Sequence, residues 1–178
     1  MTAFTAQRPA ADEYGSHFAG YVARVPEGDV IAHLGAQVDR TSALLAHLTG
    51  EQSLFRYAPG KWTIREVVGH LTDAERVFAY RALRAARGDT TSLPAFDENL
   101  FVANGGFNRR TLDDLVGEFR DVRRATLSLA RSFDEGQWTR RGAASGHPFS
   151  VRACLYKIAG HELHHVELLG TRYGLRWP

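Results

Sequence analysis

Apolar residues recur at three- and four-residue spacing in four long stretches, separated by clusters of Gly, Pro and polar residues. That spacing gathers apolar side chains on one face of a helix. The first stretch, about 29–49, has Asp29 at its N-cap and Gly50 as its stop, with Val30, Ile31, Leu34, Val38, Leu45 and Leu48 as its apolar set. The second follows Pro59-Gly60 and opens on Thr63-Ile64-Arg65-Glu66, a capping-box pattern. Its stripe is Ile64, Val67, Val68, Leu71, Ala74 and Phe78, and it ends near Gly88. The third runs from Thr111 to about Ser132 through Leu112, Leu115, Phe119, Val122, Thr126 and Leu129. The fourth is capped by Ser150 and continues to Gly174 with Val151, Leu155, Ile158, Val166, Leu169 and Tyr173.

Between the second and third helices, 89–110 holds Pro94, Asn104 and a Gly-Gly pair, with one short helix expected around Asp97–Ala103. Before the fourth lies a polar loop with Gly136, Gly142, Gly146 and His147-Pro148. Strand signals are nearly absent, and no alternating apolar runs are joined by a two-residue turn. Four amphipathic helices with one connection long enough to cross the molecule predict an all-α four-helix bundle. One domain over 12–178 is expected, with 1–11 as a flexible arm; Tyr14, Phe18, Tyr21 and Val22 should pack ahead of Pro26 and Gly28.

Composition narrows the partners. The 178 residues suit one domain. The balance of 22 basic to 20 acidic residues, a net charge of +2, points to no polyanion. All but two of the basic residues, Lys61 and Lys157, are Arg, spread along the chain among acids without a basic stripe, so no nucleic-acid partner is predicted. No apolar run approaches the roughly 18 residues of a membrane span, and the N-terminus lacks a signal peptide's apolar core. The expected compartment is therefore the cytoplasm, with no membrane partner. A single cysteine, Cys154, excludes an intrachain disulfide and a Cys-based zinc finger. Eight histidines then confine a transition-metal site to imidazole and carboxylate ligands.

The histidines divide by position. His17, His33, His47 and His147 have no partner at ligand spacing. The fourth helix reads Gly160-His161-Glu162-Leu163-His164-His165, which puts His161 and His165 one turn apart on the flank of the apolar stripe and turns His164 more than about 90° away. His70 lies on the edge of the second helix's stripe, at a level that an antiparallel neighbour brings to the same height. On the residues alone, a shared metal site and three separate core-edge histidines both account for the pattern.

Several motifs carry a family resemblance. Arg56-Tyr57-Ala58-Pro59-Gly60-Lys61-Trp62-Thr63-Ile64-Arg65-Glu66, His70-Leu71-Thr72-Asp73-Ala74-Glu75-Arg76, Phe96-Asp97-Glu98-Asn99, Glu118-Phe119-Arg120 and the His161 segment occur in order. Together they resemble the DinB-like (YfiT-like) metalloprotein superfamily over about 12–174. The resemblance implies an up-down-down-up bundle with a long crossover between helices two and three. It also implies a divalent metal, zinc or nickel, held by His70, His161 and His165, and pairing as a homodimer. Three neutral imidazoles leave zinc an open position, where a thiol is ionised or a water acidified.

The function expected from the resemblance is a metal-dependent enzyme that presents a low-molecular-weight thiol to a small electrophilic substrate, of S-transferase or isomerase type. Arginines at the mouth would suit an acidic cosubstrate. One alternative is a metal-dependent hydrolase in which Glu162, completing His-Glu-x-x-His, is the catalytic base. Another is a non-catalytic, stress-related metal-binding protein. Glu162 falls inside the apolar stripe, so a salt bridge with Arg123 or Arg124 of the third helix is the plainer role for it. Asp73 or Glu75 could orient a ligand imidazole or stay on the surface, and Asp97 and Glu98 could cap the short helix or line the site mouth. Cys154, two turns before His161, is too far to ligate the same ion.

Overall fold

The computed structural model describes residues 7–176. Its long helices are α2 (Val30–Leu45), α3 (Ile64–Ala86), α5 (Leu112–Arg131) and α7 (Val151–Thr171), and shorter ones are α1 (Ala19–Arg24), α4 (Glu98–Gly105) and α6 (Glu135–Trp138). The caps sit where the sequence placed them. Asp29, Thr63, Thr111 and Ser150 each accept a bond from a first-turn backbone N–H, and Glu66 closes the capping box on Thr63. In the crossover, Asp97 caps α4 through the N–H groups of Asn99 and Leu100. Helix α2 stops at Leu45, short of Gly50, and Thr49 and Gln52 then bond reciprocally to start a 3-10 turn over Gln52–Leu54.

Cross-helix contacts fix the direction of each helix. Tyr173 bonds the Trp62 carbonyl, His70 meets His161, and Phe78 meets Lys157, so α3 and α7 are antiparallel. Arg65 bonds the Arg110 carbonyl and Glu75 pairs with Arg123, so α3 and α5 run parallel. Gln37 with Ala159 and Thr41 with Glu162 make α2 and α7 parallel, while Leu34 with Arg123 and Asp39 with Arg120 make α2 and α5 antiparallel. The order is up-down-down-up. Parallel α3 and α5 require the chain to return the length of a helix, which is the work of the crossover and α4.

The loop before α7 departs from expectation. It contains a hairpin, β1 (Arg141–Ala144) against β2 (His147–Ser150), with Ala144 opposite His147. Its two-residue turn places Ser145 at φ 55° and Gly146 at φ 76°. Left-handed conformations at both positions match the twist of a tight hairpin, and serine at the first is an uncommon choice there. The hairpin anchors its neighbours: Leu93 of the crossover exchanges backbone bonds with Ala143 and Ser145, and Tyr14 bridges Phe149. Of the expected flexible arm, residues 1–6 lie outside the described residues. Arg8 donates to the Val22 and Val25 carbonyls at 2.6 Å each and pairs with Glu27.

The buried apolar side chains form two clusters. One holds Phe78, Ala82, Leu155, Ile158 and Ala159, and the other Ile64, Val67, Val68, Leu71 and Leu169. On α7, His161 and His165 fall between Ala159 of the first cluster and Leu169 of the second, and on α3 His70 lies beside Leu71 at the edge of the second. The candidate site lies where the two clusters meet. No helix among the described residues is long and apolar enough to cross a membrane.

Candidate metal centre

Antiparallel packing of α3 on α7 brings the three expected histidines together. His70 Nε2 lies 2.9 Å from His161 Nε2, and His165 Nε2 lies 3.1 Å from the same atom. All three side chains are buried. Glycines beside two of them permit the close approach. A Cβ on Gly160 would stand 1.9 Å from the Tyr21 carbonyl oxygen, so α1 can lie on α7 only because that residue is glycine. On α3, a Cβ on Gly69 would stand 2.4 Å from the Phe107 ring.

Burial keeps these imidazoles neutral. It pulls His70 down to about 4 and His165, with help from His70 and His164, to about 3. His161 is held well below its ordinary value by burial and then by the other two histidines. A neutral imidazole nitrogen either donates or accepts, so three converging Nε2 atoms cannot all satisfy one another. A cation at their centre satisfies all three lone pairs. Tetrahedral zinc with Zn–N of about 2.0–2.1 Å separates its nitrogens by roughly 3.3–3.4 Å, close to the observed spacing. The all-imidazole donor set fits a divalent transition-metal ion.

Aromatic rings enclose the cluster. Trp62 packs on His70 at 4.7 Å between centroids, Tyr21 meets His161 edge-on at 5.5 Å, and Phe78 does so at 6.0 Å. The three histidines open into a cavity of about 420 Å³, bounded further by Phe96, Arg81, Lys157 and Glu98. Its size is that of a small-molecule site. His164 is half-buried, touches Tyr21 at 5.5 Å, and lies on the cavity wall outside the converging trio.

Glu162 is not on that cavity wall. It is fully buried towards α2 and α5, where Oε1 accepts from Thr41 at 2.6 Å and Oε2 accepts from Arg123 at 2.7 Å. Burial pushes its carboxyl up, with Arg123 and Thr41 pulling the other way. Arg123 also bonds both oxygens of Glu75 and the Leu34 carbonyl, so one guanidinium on α5 joins the other three long helices. Of the two arginines considered for Glu162, Arg123 is the partner, and Arg124 pairs with Asp121 on the exposed face. Asp73 pairs with Arg76 and Glu75 with Arg123; no hydrogen bond from either to His70 occurs among the described residues. Asp97 caps α4 while Glu98 lines the cavity. Cys154 is buried, its thiol pushed up to about 12 by burial, and stands outside the nitrogen cluster.

Of the other histidines, His33 bonds the Glu27 carbonyl and His47 is exposed, while His17 and His147 pack on each other at 4.8 Å. Sequence reasoning offered Glu98 for the mouth of the site but named neither Lys157 nor Arg81 on its wall. Lys157 precedes His161 by four residues and Arg81 follows Phe78 by three, so helical spacing from the histidine face would have found both.

Residues 33–169 match the sequence model of the DinB superfamily. No curated protein matches the chain in sequence. Among solved structures, YfiT from Bacillus subtilis, described as a probable metal-dependent hydrolase with an unusual four-helix bundle topology, superposes with a TM-score of 0.71 at 19% identity over 86% of this chain and 94% of its own. The mycothiol-dependent maleylpyruvate isomerase gives 0.68 at 15% identity over 83% of this chain but only 62% of its own. A DinB-like protein, YjoA, from Bacillus subtilis gives 0.60 at 18% identity, over 82% and 89%. At these identities the structures testify to the fold, and the sequence match to the family. The chain belongs to the DinB superfamily.

Proposed function

We propose that this protein is a metal-dependent enzyme that brings a low-molecular-weight thiol to a small electrophilic substrate. One observation carries the reading: three neutral, buried imidazoles converge at the wall of a cavity of small-molecule size. When bound there, a zinc or nickel ion supplies a Lewis-acid position that ionises a thiol at neutral pH. The chain's own part is to hold three nitrogens in place, keep them unprotonated by burial, and keep bulk water off the reacting atoms with Trp62, Tyr21, Phe78 and Phe96. The chain has no thiol of its own to offer, because Cys154 is buried and held protonated, so the nucleophile arrives as a cosubstrate.

A hydrolytic reading has the description of YfiT in its favour. Its base in the His-Glu-x-x-His pattern is Glu162, and that carboxylate is engaged instead with Thr41 and Arg123 and is absent from the cavity wall. We therefore assign Glu162 to positioning α7. On this assignment Glu162→Gln alters stability more than turnover.

Substitution with cobalt tests the main reading. A thiol added to the cobalt protein should produce a sulfur-to-metal charge-transfer band. His70→Ala should weaken metal binding by more than the roughly 10–100-fold that loss of a supporting neighbour costs, whereas His164→Ala should retain the metal. Full metal content in His70→Ala, measured by elemental analysis, would end the three-histidine assignment. A cobalt spectrum indifferent to thiols would end the thiol assignment.

A further inference from the structure

Lys157 lies on α7 one turn before His161, so its side chain leaves the same face of the helix as the metal-binding pair. It is only 9% exposed, with Nζ 3.1 Å from the centroid of Phe18 and 3.9 Å from that of Phe78. Among the described residues, no hydrogen-bond acceptor or carboxylate within ion-pair distance meets that Nζ. A buried ammonium without an anion is costly, and two ring faces offset only part of the cost. Arg81, 7% exposed, stands on the opposing helix α3. It spends one nitrogen on the Pro94 carbonyl at 3.0 Å and has no carboxylate partner among the described residues. Both side chains border the cavity that contains the three histidines, and among the described residues the only acid on its wall is Glu98 at the exposed start of α4.

We propose that Lys157 and Arg81 form an anion clamp that docks the carboxylate of a small substrate or cosubstrate, with its reacting end at the three histidines. The inference rests on the functional reading above and adds the charge and shape of what binds. Four residues of helix separate the clamp from His161 by about 6 Å along the axis, so the carboxylate stands several bonds from the reacting atom. Phe78 and Phe96 flank that span and suit an apolar body between the two ends. Burial, and then Arg81, hold the Lys157 amine down to about 7, with Glu98 pulling the other way; this is the penalty of an ammonium without an ion-pair partner, and a bound carboxylate would relieve it. His17 and His161 also face Lys157, and each is lowered by burial first, with Lys157 among the charges that add to it.

Paired probes on the cobalt-loaded protein test the clamp. 4-Mercaptobutyrate and 4-mercaptobutanol differ only in the terminal carboxylate, and the charge-transfer band reads the affinity of each. The clamp predicts at least a tenfold advantage for the carboxylate. That advantage should vanish in Lys157→Met and shrink in Arg81→Met, with the alcohol bound equally by all three proteins. Equal affinities of the two thiols for the wild type, or an advantage that survives both substitutions, would overturn it. If neither thiol gives a band while cobalt stays bound, the thiol reading fails separately. Calorimetric titration with butyrate then decides the clamp: binding lost in Lys157→Met supports it, and no binding to the wild type refutes it.

Discussion

At the scale of single residues, Arg123 on α5 joins the other three long helices. It is fully buried, bonded to Glu75, Glu162 and the Leu34 carbonyl, and its guanidinium lies 5.3 Å from the Phe119 ring. Removing one member of such a network leaves buried charges without a partner, at a cost of roughly 3–5 kcal/mol. Arg123→Met should therefore lower the thermal midpoint of the metal-loaded protein by about 10 °C, since each kcal/mol is worth roughly 2–4 °C at this size. A midpoint within about 2 °C of wild type would show that the network contributes little. Sequence reasoning reached Glu162 as a buried carboxylate and offered Arg123 or Arg124. Helical spacing favours Arg123, one turn after Phe119 on the apolar face, over Arg124, which turns away from it, so that choice was within reach of the sequence. Glu75 was read as an imidazole partner or a surface acid, and it proves to be the second carboxylate of the network, which only the packing of α5 on α3 reveals.

At the scale of elements, helix ends were legible and the hairpin was not. Caps are local chemistry: Asp29, Thr63, Thr111 and Ser150 act within a few residues of themselves. The strands Arg141–Ala144 and His147–Ser150 have no alternating apolar pattern of their own and owe their form to Leu93 and Tyr14, which come from far along the chain. The contact of α1 with α7 is likewise a tertiary matter, since Gly160 looks like a helix-weakening residue until Tyr21 is seen against it. Gly160→Ala should push α1 off the metal-binding face and destabilise the fold by roughly 1–3 kcal/mol. Gly35→Ala, in open space within α2, should stabilise it by roughly 0.5–1 kcal/mol. Hydrogen exchange over 19–24 checks the first directly: faster exchange in Gly160→Ala is expected, and unchanged protection would contradict the close-approach account.

At the scale of the whole molecule, the N-terminal segment is tied to the last helix through Glu13, which is buried and paired with Arg152 across most of the chain length. Burial alone would raise this carboxyl, but bonds from Arg152, Ser150 and the Ala10 N–H win and hold it down to about 2, against 4.5 ordinarily. A depressed carboxyl contributes its stability fully above the ordinary value and loses it as pH falls towards the folded one. The pair should thus support the fold above pH 4.5 and cease to do so as pH falls to about 2, with a slope of at most roughly 1.4 kcal/mol per pH unit. Denaturant titrations across that window should show a shallower acid dependence in Glu13→Gln than in wild type. Identical slopes would mean that Glu13 does not carry the effect. The sequence by itself determined the four helices, their caps, the long return between the second and third, and three histidines able to share an ion, because periodicity and capping are local. Only the tertiary structure decided that Arg123 pairs with both Glu75 and Glu162, and that Lys157 of α7 and Arg81 of α3 border one cavity with the histidines. Those outcomes depend on which helix lies against which, and an antiparallel α3 and α7 brings together residues about 90 positions apart.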